Sequence, residues 1–248
     1  MKTSNKILIA ATVVVLAWLI VFDMTLKAEY VKGDYNKPHY HMHQLGFSNF
    51  NIIEHNAGNI IGIRVEKGPY GVWMDDYLKD KITVSQHDKT LLIECTSKED
   101  FGGNGVIITC PDLVAITTNP LIRPGNNPGG RYSRKSGTSL IIDYFPHATS
   151  TVTGFDQLSM TIVANEFTVI DMEKNTLGQL NAKVGDSKKG NAGVIITTNN
   201  KITFADFQVP GKSTLTLDNV VINKVTYKIA DSADVHLTGK AVHLLDHQ

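Results

Sequence analysis

Alternation of apolar and polar positions dominates the chain from about Phe47 onward. Ile61, Ile63 and Val65 alternate with Gly62, Arg64 and Glu66. This is the period-two pattern of a strand with one buried face, and Lys67, Gly68 and Pro69 then supply a turn. Val72 and Met74 follow, then Ile82 and Val84, a polar turn at His87, Asp88 and Lys89, and then Leu91, Ile93 and Cys95. The best helical window in this region, Asp75 to Lys81, spans about two turns and would be marginal alone. The pattern predicts an all-β body.

The N-terminus reads differently. Lys2 and Lys6 precede an apolar run from Ile7 to Phe22, about 24 Å of helix at 1.5 Å per residue and slightly short of a bilayer core. Met24 and Leu26 extend the apolar stretch past Asp23, Trp18 suits an interfacial position, and Lys27 can snorkel outward. A retained signal-anchor is favoured over a cleaved signal peptide, because Leu26 occupies a position where an A-x-A-like site wants a small residue before Ala28. Neither cysteine lies near this segment, which excludes a lipoprotein anchor. The expected organisation is a cytoplasmic start over 1–6, a membrane anchor over 7–26, a juxtamembrane linker over 27–46 and a β domain over 47–248.

The C-terminal half carries a faint repeat. Leu215, Leu217 and Asn219 recur twenty residues on as Val235, Leu237 and Gly239, and Met160 and Ile162 recur twenty-two residues on as Ala182 and Val184. Short strands at this spacing, separated by Gly, Asn or Asp, suit a parallel β-helix in which each coil buries its apolar residues inward.

Composition narrows the partners. The 24 basic and 24 acidic residues among 248 leave no net charge, so the basic surface of a nucleic-acid binder is missing. Two cysteines exclude a disulfide framework and a four-cysteine zinc site. With 42% hydrophobic and 19% charged residues, the chain has enough apolar surface to order itself.

The stretch from Phe47 to Thr118 resembles the head GIN domain family, the "putative auto-transporter adhesins" of bacterial envelopes. The matching features are FNIIEHNAGNIIGIRVEKG, YGVWM, KITVSQHDKTLLIE and VIITCPDLVAITT, with a turn ending at Gly68 and a Pro-x-Leu step at Pro111, Asp112 and Leu113. The resemblance implies a right-handed parallel β-helix, a single-stranded solenoid, preceded by the one N-terminal transmembrane helix. It transfers a fold more safely than a function.

Candidate chemistry is sparse. His39, His41 and His43 would share one face of an extended strand, where imidazoles can share a metal, but the polar segment beside the anchor reads first as a solvated linker and no metal is expected. Cys95 and Cys110 each share a strand face with apolar neighbours. Two states stay open for them: a disulfide closing a loop of about fifteen residues, worth about 3 kcal/mol, or two buried free thiols. Arg123, Arg131, Arg134 and Lys135 lie in a Gly- and Pro-rich segment, Asn119 to Thr138, with no acidic residue. Guanidinium groups there could engage carboxylates or phosphates of envelope polymers. Tyr70, Trp73, Tyr77 and Tyr132 are candidates for a carbohydrate-stacking platform, or for ordinary cross-strand pairs.

Asp75 and Asp76 form the one adjacent acidic pair, and they sit in an expected turn, which is poor acid/base geometry. No catalytic motif and no cofactor fingerprint occurs. The expected function is a non-enzymatic binding or adhesion module, anchored in the inner membrane with its body in the periplasm, contacting envelope polysaccharide or a protein partner. A polysaccharide lyase or glycoside hydrolase, and a structural or signalling subunit docking a membrane protein, are the alternatives.

Overall fold

A computed structural model describes residues 3–33, 39–97, 104–121, 131–136, 139–144, 148–186 and 191–245. The chain divides into two compact units, 1–42 and 43–248. The first is built on one helix, α1 (Thr3–Lys32), whose apolar run has no side chain buried within the protein. At about 45 Å it exceeds a bilayer core. It continues past the expected end of the anchor at residue 26 through a polar last turn, where Lys32 pairs with Glu29.

The second unit consists of two stacked sheets. The first, sheet A, holds β1 (Met42–Leu45), β3 (Gly62–Lys67), β4 (Gly71–Asp75), β7 (Asn104–Cys110), β11 (Ser150–Thr153), β13 (Val169–Glu173), β15 (Gly193–Ile196), β17 (Thr214–Asp218) and β19 (Asp234–Thr238). The second, sheet B, holds β2 (Ile52–His55), β5 (Ile82–His87), β6 (Thr90–Cys95), β8 (Ala115–Thr118), β12 (Asp156–Ala164), β14 (Thr176–Val184), β16 (Lys201–Val209) and β18 (Val221–Ile229). A separate antiparallel hairpin joins β9 (Arg131–Ser136) to β10 (Ser139–Tyr144).

The expectation of a single-stranded parallel β-helix is corrected by this arrangement. There are two sheets, and both are mixed: β4 runs antiparallel to β7, and β5 antiparallel to β6. The remaining pairings with an assigned register in the two sheets are parallel. Alternation in the sequence identified the strands but could not count sheets, because a side chain's facing is the same whether its strand pairs with a parallel or an antiparallel neighbour.

One continuous core lies between the sheets, from Phe50 and Ile53 through Phe155 and Ile162 to Phe207 and Leu217. Its largest side chains are fully buried, and each contributes roughly 1.5–3 kcal/mol of burial. The twenty-residue repeat is physical: Leu215 pairs with Val235 and Leu217 with Leu237 across β17 and β19. The twenty-two-residue repeat was misregistered by two. Met160 pairs with Leu180 and Ile162 with Ala182, again twenty residues apart.

Candidate functional site

Four strands of sheet B, β12, β14, β16 and β18, share an irregularity at one level. Buried residues there fall three apart instead of two, at Leu177 and Leu180 in β14 and at Ile202 and Ala205 in β16. The pairing register passes over the residue between, so Leu158, Gly178, Thr203 and Asn223 have no ladder partner. An extra residue inserted at the same height in each strand bends the sheet locally, as a β-bulge does.

The bend leaves a groove of ≈ 520 Å³ running across the four strands. One bank is formed by Asp156, Thr176, Lys201 and Val221, and the other by Leu158, Gly178, Thr203 and Asn223, with Leu177 and Ile202 beneath. Leu158 is 87% exposed and Val221 41% exposed. Gly178 has a steric role: a Cβ there would stand 2.6 Å from the carbonyl oxygen of Leu158. Only glycine leaves that rung of the groove open.

Gln157 closes one end. β8 starts too late to pair with the first half of β12, and the Gln157 side chain substitutes for a strand. Its Oε1 accepts from Leu113 N at 3.1 Å, and its Nε2 donates to Leu113 O at 2.7 Å and to Ser159 O at 2.6 Å. On the next turn, Lys67 Nζ donates to Asp156 O at 3.1 Å. The end of the groove is thus held by side chains of Gln157 and Lys67 bonded to backbone groups. A second, smaller hollow of ≈ 360 Å³ lies at the far ends of the same strands, between Lys183, Gln208 and Lys228.

Three titratable groups with displaced affinities, His55, Asp171 and Cys110, lie away from the groove. His55 is fully buried in β2, and its Nδ1 lies 3.2 Å from Ser150 Oγ while its Nε2 has no partner. Burial pushes its pKa down to about 3. Asp171, on β13, has its carboxyl pushed up to about 6, first by burial, then by Glu173, with Arg64 opposing. Arg64 also pairs with Glu66 and reaches Glu173 at 3.9 Å. Burial and the Asp112 charge push the Cys110 thiol up to about 12, which makes it a poor nucleophile.

Among the described side chains, none of those singled out in the sequence as candidate sites lines this groove. His39 and His41 sit in a turn with φ of 61° and 62°, so they share no strand face, and His43 Nδ1 lies 3.0 Å from Asp76 Oδ1. Among the described residues, no group of three or more His, Cys, Asp or Glu side chains is placed to hold a metal ion. Cys95 in sheet B and Cys110 in sheet A are buried free thiols. Asp75 Oδ1 accepts from Tyr77 N at 2.9 Å, capping a 3-10 turn over Asp76–Leu78, so both members of the acidic pair have structural partners. Tyr70 packs at 5.3 Å from the Phe50 ring, Trp73 folds over Gly71, and Lys81 Nζ lies 3.4 Å above the Tyr77 ring.

The basic segment is partly regular. Arg131, Tyr132, Arg134 and Lys135 lie in β9, opposite Tyr144, Asp143, Ile141 and Leu140 of β10, while Arg123 lies outside the described residues. The groove itself went unread. Its sequence signal was the break in alternation at Leu177–Leu180, Ile202–Ala205 and Ile222–Val225, which recurs at corresponding places in successive strands.

The solved structures to which this chain is similar include a putative adhesin from Parabacteroides distasonis ATCC 8503, at 15% sequence identity, 79% of this chain and 71% of that chain covered, and a TM-score of 0.56. A putative adhesin from Bacteroides fragilis NCTC 9343 aligns more loosely, at 12% identity, 79% and 96% coverage and a TM-score of 0.44. A putative adhesin from Parabacteroides merdae ATCC 43184 gives 11%, 80% and 95%, and 0.37. No family model matches the sequence, and no curated protein matches it. The shared feature is the fold: the two-sheet body is built like that of the Parabacteroides distasonis protein.

Proposed function

We propose that the protein is a non-catalytic binding module of the bacterial envelope, held in the inner membrane by α1 with its body in the periplasm, and that it contacts envelope polysaccharide through the groove on sheet B. The observation that carries this reading is the groove itself, open along its length and walled by four aligned strand irregularities. Its lining contains one carboxylate, Asp156, whereas hydrolysis of a glycosidic bond ordinarily uses a pair flanking the bond. The adhesin-like fold and the apolar length of α1 support the same reading.

The test is binding of the full-length protein, in detergent micelles, to a panel of bacterial envelope polysaccharides and peptidoglycan, with released sugar monitored in parallel. Saturable binding without product is the expected result. Released product would overturn the non-catalytic assignment. Absence of binding to every polymer would overturn the polysaccharide assignment and direct attention to a protein partner.

A further inference from the structure

Resting on that reading, we propose that the groove takes an uncharged glycan in extended form, laid across the strands with one sugar per strand. Direction comes first. A peptide recognised by a sheet adds along an edge, parallel to the strands, because its backbone completes the ladder. This groove runs across four inner and outer strands at right angles to that direction. A peptide lying there would find few backbone partners. A glycan carries its hydrogen-bonding groups on ring edges and needs side chains instead.

Spacing is the second observation. Neighbouring strands lie about 4.8 Å apart, comparable to the advance per sugar in an extended β-linked chain. Because β12, β14, β16 and β18 repeat the same irregularity in register, the groove presents equivalent positions at that interval. Four strands make four subsites.

Chemistry is the third. Asp156 supplies an acceptor and Lys201 a donor, while Thr203 and Asn223 can each do both, which suits hydroxyl groups that donate and accept at once. The side chains of Lys201, Thr203 and Asn223 are exposed and make no hydrogen bond to another described residue. Leu158 and Val221 offer apolar surface to the C–H faces of sugar rings. One acidic and one basic group leave the lining without net charge, which favours a neutral glycan over one rich in uronic acids.

The experiment titrates the full-length protein in detergent with cello- and chito-oligosaccharides of increasing length, using calorimetry. Affinity should rise with each added sugar up to four and then level off. Thr203→Arg and Asn223→Arg, at exposed positions outside the core, should each weaken tetrasaccharide binding by about tenfold or more, with an unchanged far-ultraviolet spectrum. If polysaccharide binds but shows no dependence on oligosaccharide length, or binds both variants as well as the parent, the crosswise groove assignment is wrong while the binding function stands. Preference for uronate oligosaccharides would overturn the neutral class. Loss of all glycan binding by the parent protein would bring down both readings together.

Discussion

From Ser150 to Thr238 each successive strand crosses to the opposite sheet and pairs in parallel with its neighbours, whereas between Gly62 and Cys110 the sheets also take antiparallel partners, β4 on β7 and β5 on β6. The consequence is visible in the polar contacts. Parallel stacking in register places equivalent residues above one another, so the later half repeats its devices: Asn175 beside Asn200, Asp206 under Thr226, Asp218 under Thr238. The earlier half carries one such stack, Asn165 on Asn119 on Asn56, beside individual contacts such as His55 to Ser150 and Asn59 to Leu121. Repetition also explains why the groove lies in the later half, since an irregularity becomes a continuous channel only when neighbouring strands copy it in register.

The comparison breaks most decisively at Asn175. This fully buried side chain accepts from Phe155 N at 3.0 Å, donates to Val152 O at 3.0 Å and donates to Asn200 Oδ1 at 3.0 Å. It is therefore a junction between three successive turns of the chain. Asn175→Ala would leave the buried Phe155 N–H without a partner and take one of the bonds from Val152 O, at a cost of roughly 2–3 kcal/mol. Denaturant unfolding should show the midpoint fall sharply. A loss below about 1 kcal/mol would mean that the ladder is decorative and that apolar packing alone sets the register.

How much of this was legible depends on the kind of signal. Strands such as Ile61–Val65 and Leu91–Cys95 could be read because a residue's facing is encoded locally, by what stands two positions away. The Leu215/Val235 repeat was readable for the same reason. Pairing partners are not local: nothing in Gly71–Asp75 says that it will run antiparallel to β7, and so the number of sheets was missed. The groove was hidden by its own rule, because a bulge shows up as a failure of alternation and a failure resembles noise until register aligns four of them. HYHMH satisfies the spacing of a strand face, while His39 and His41 adopt left-handed backbone that spacing cannot reveal.

His55 tests the individual contacts of the earlier half. Its folded pKa of about 3 lies below the ordinary histidine value of 6.5, so the unfolded chain binds the extra proton between those limits. Its contribution is fully present above pH 6.5 and is lost as pH falls, by about 1.4 kcal/mol per pH unit, or roughly 2 kcal/mol by pH 5. Melting curves from pH 7 to pH 4 should show this decline, and His55→Leu should flatten it, while changing neutral-pH stability much less because it also removes an unpartnered buried nitrogen. An identical acid slope in the variant would place the proton uptake on another group.

Asp171 supplies the smaller and opposite effect, on the outer face of sheet A, where β13 lies between β11 and β15. Its carboxyl titrates near 6 in the folded chain against 3.8 for the free group, so here the folded state binds the proton more tightly. Stability from this group is greatest below pH 3.8 and declines as pH rises towards 6, the reverse of His55. Solvent screening at a partly exposed site reduces the cost at neutral pH to about 1 kcal/mol. Asp171→Asn should therefore raise the neutral-pH melting temperature slightly and leave the acid value unchanged. If Asp171→Asn instead destabilises at pH 7, the ionised carboxylate is held by Arg64 more strongly than burial and Glu173 oppose it. The outer face of sheet A would then be stabilised by its charge pairs in addition to the core beneath it.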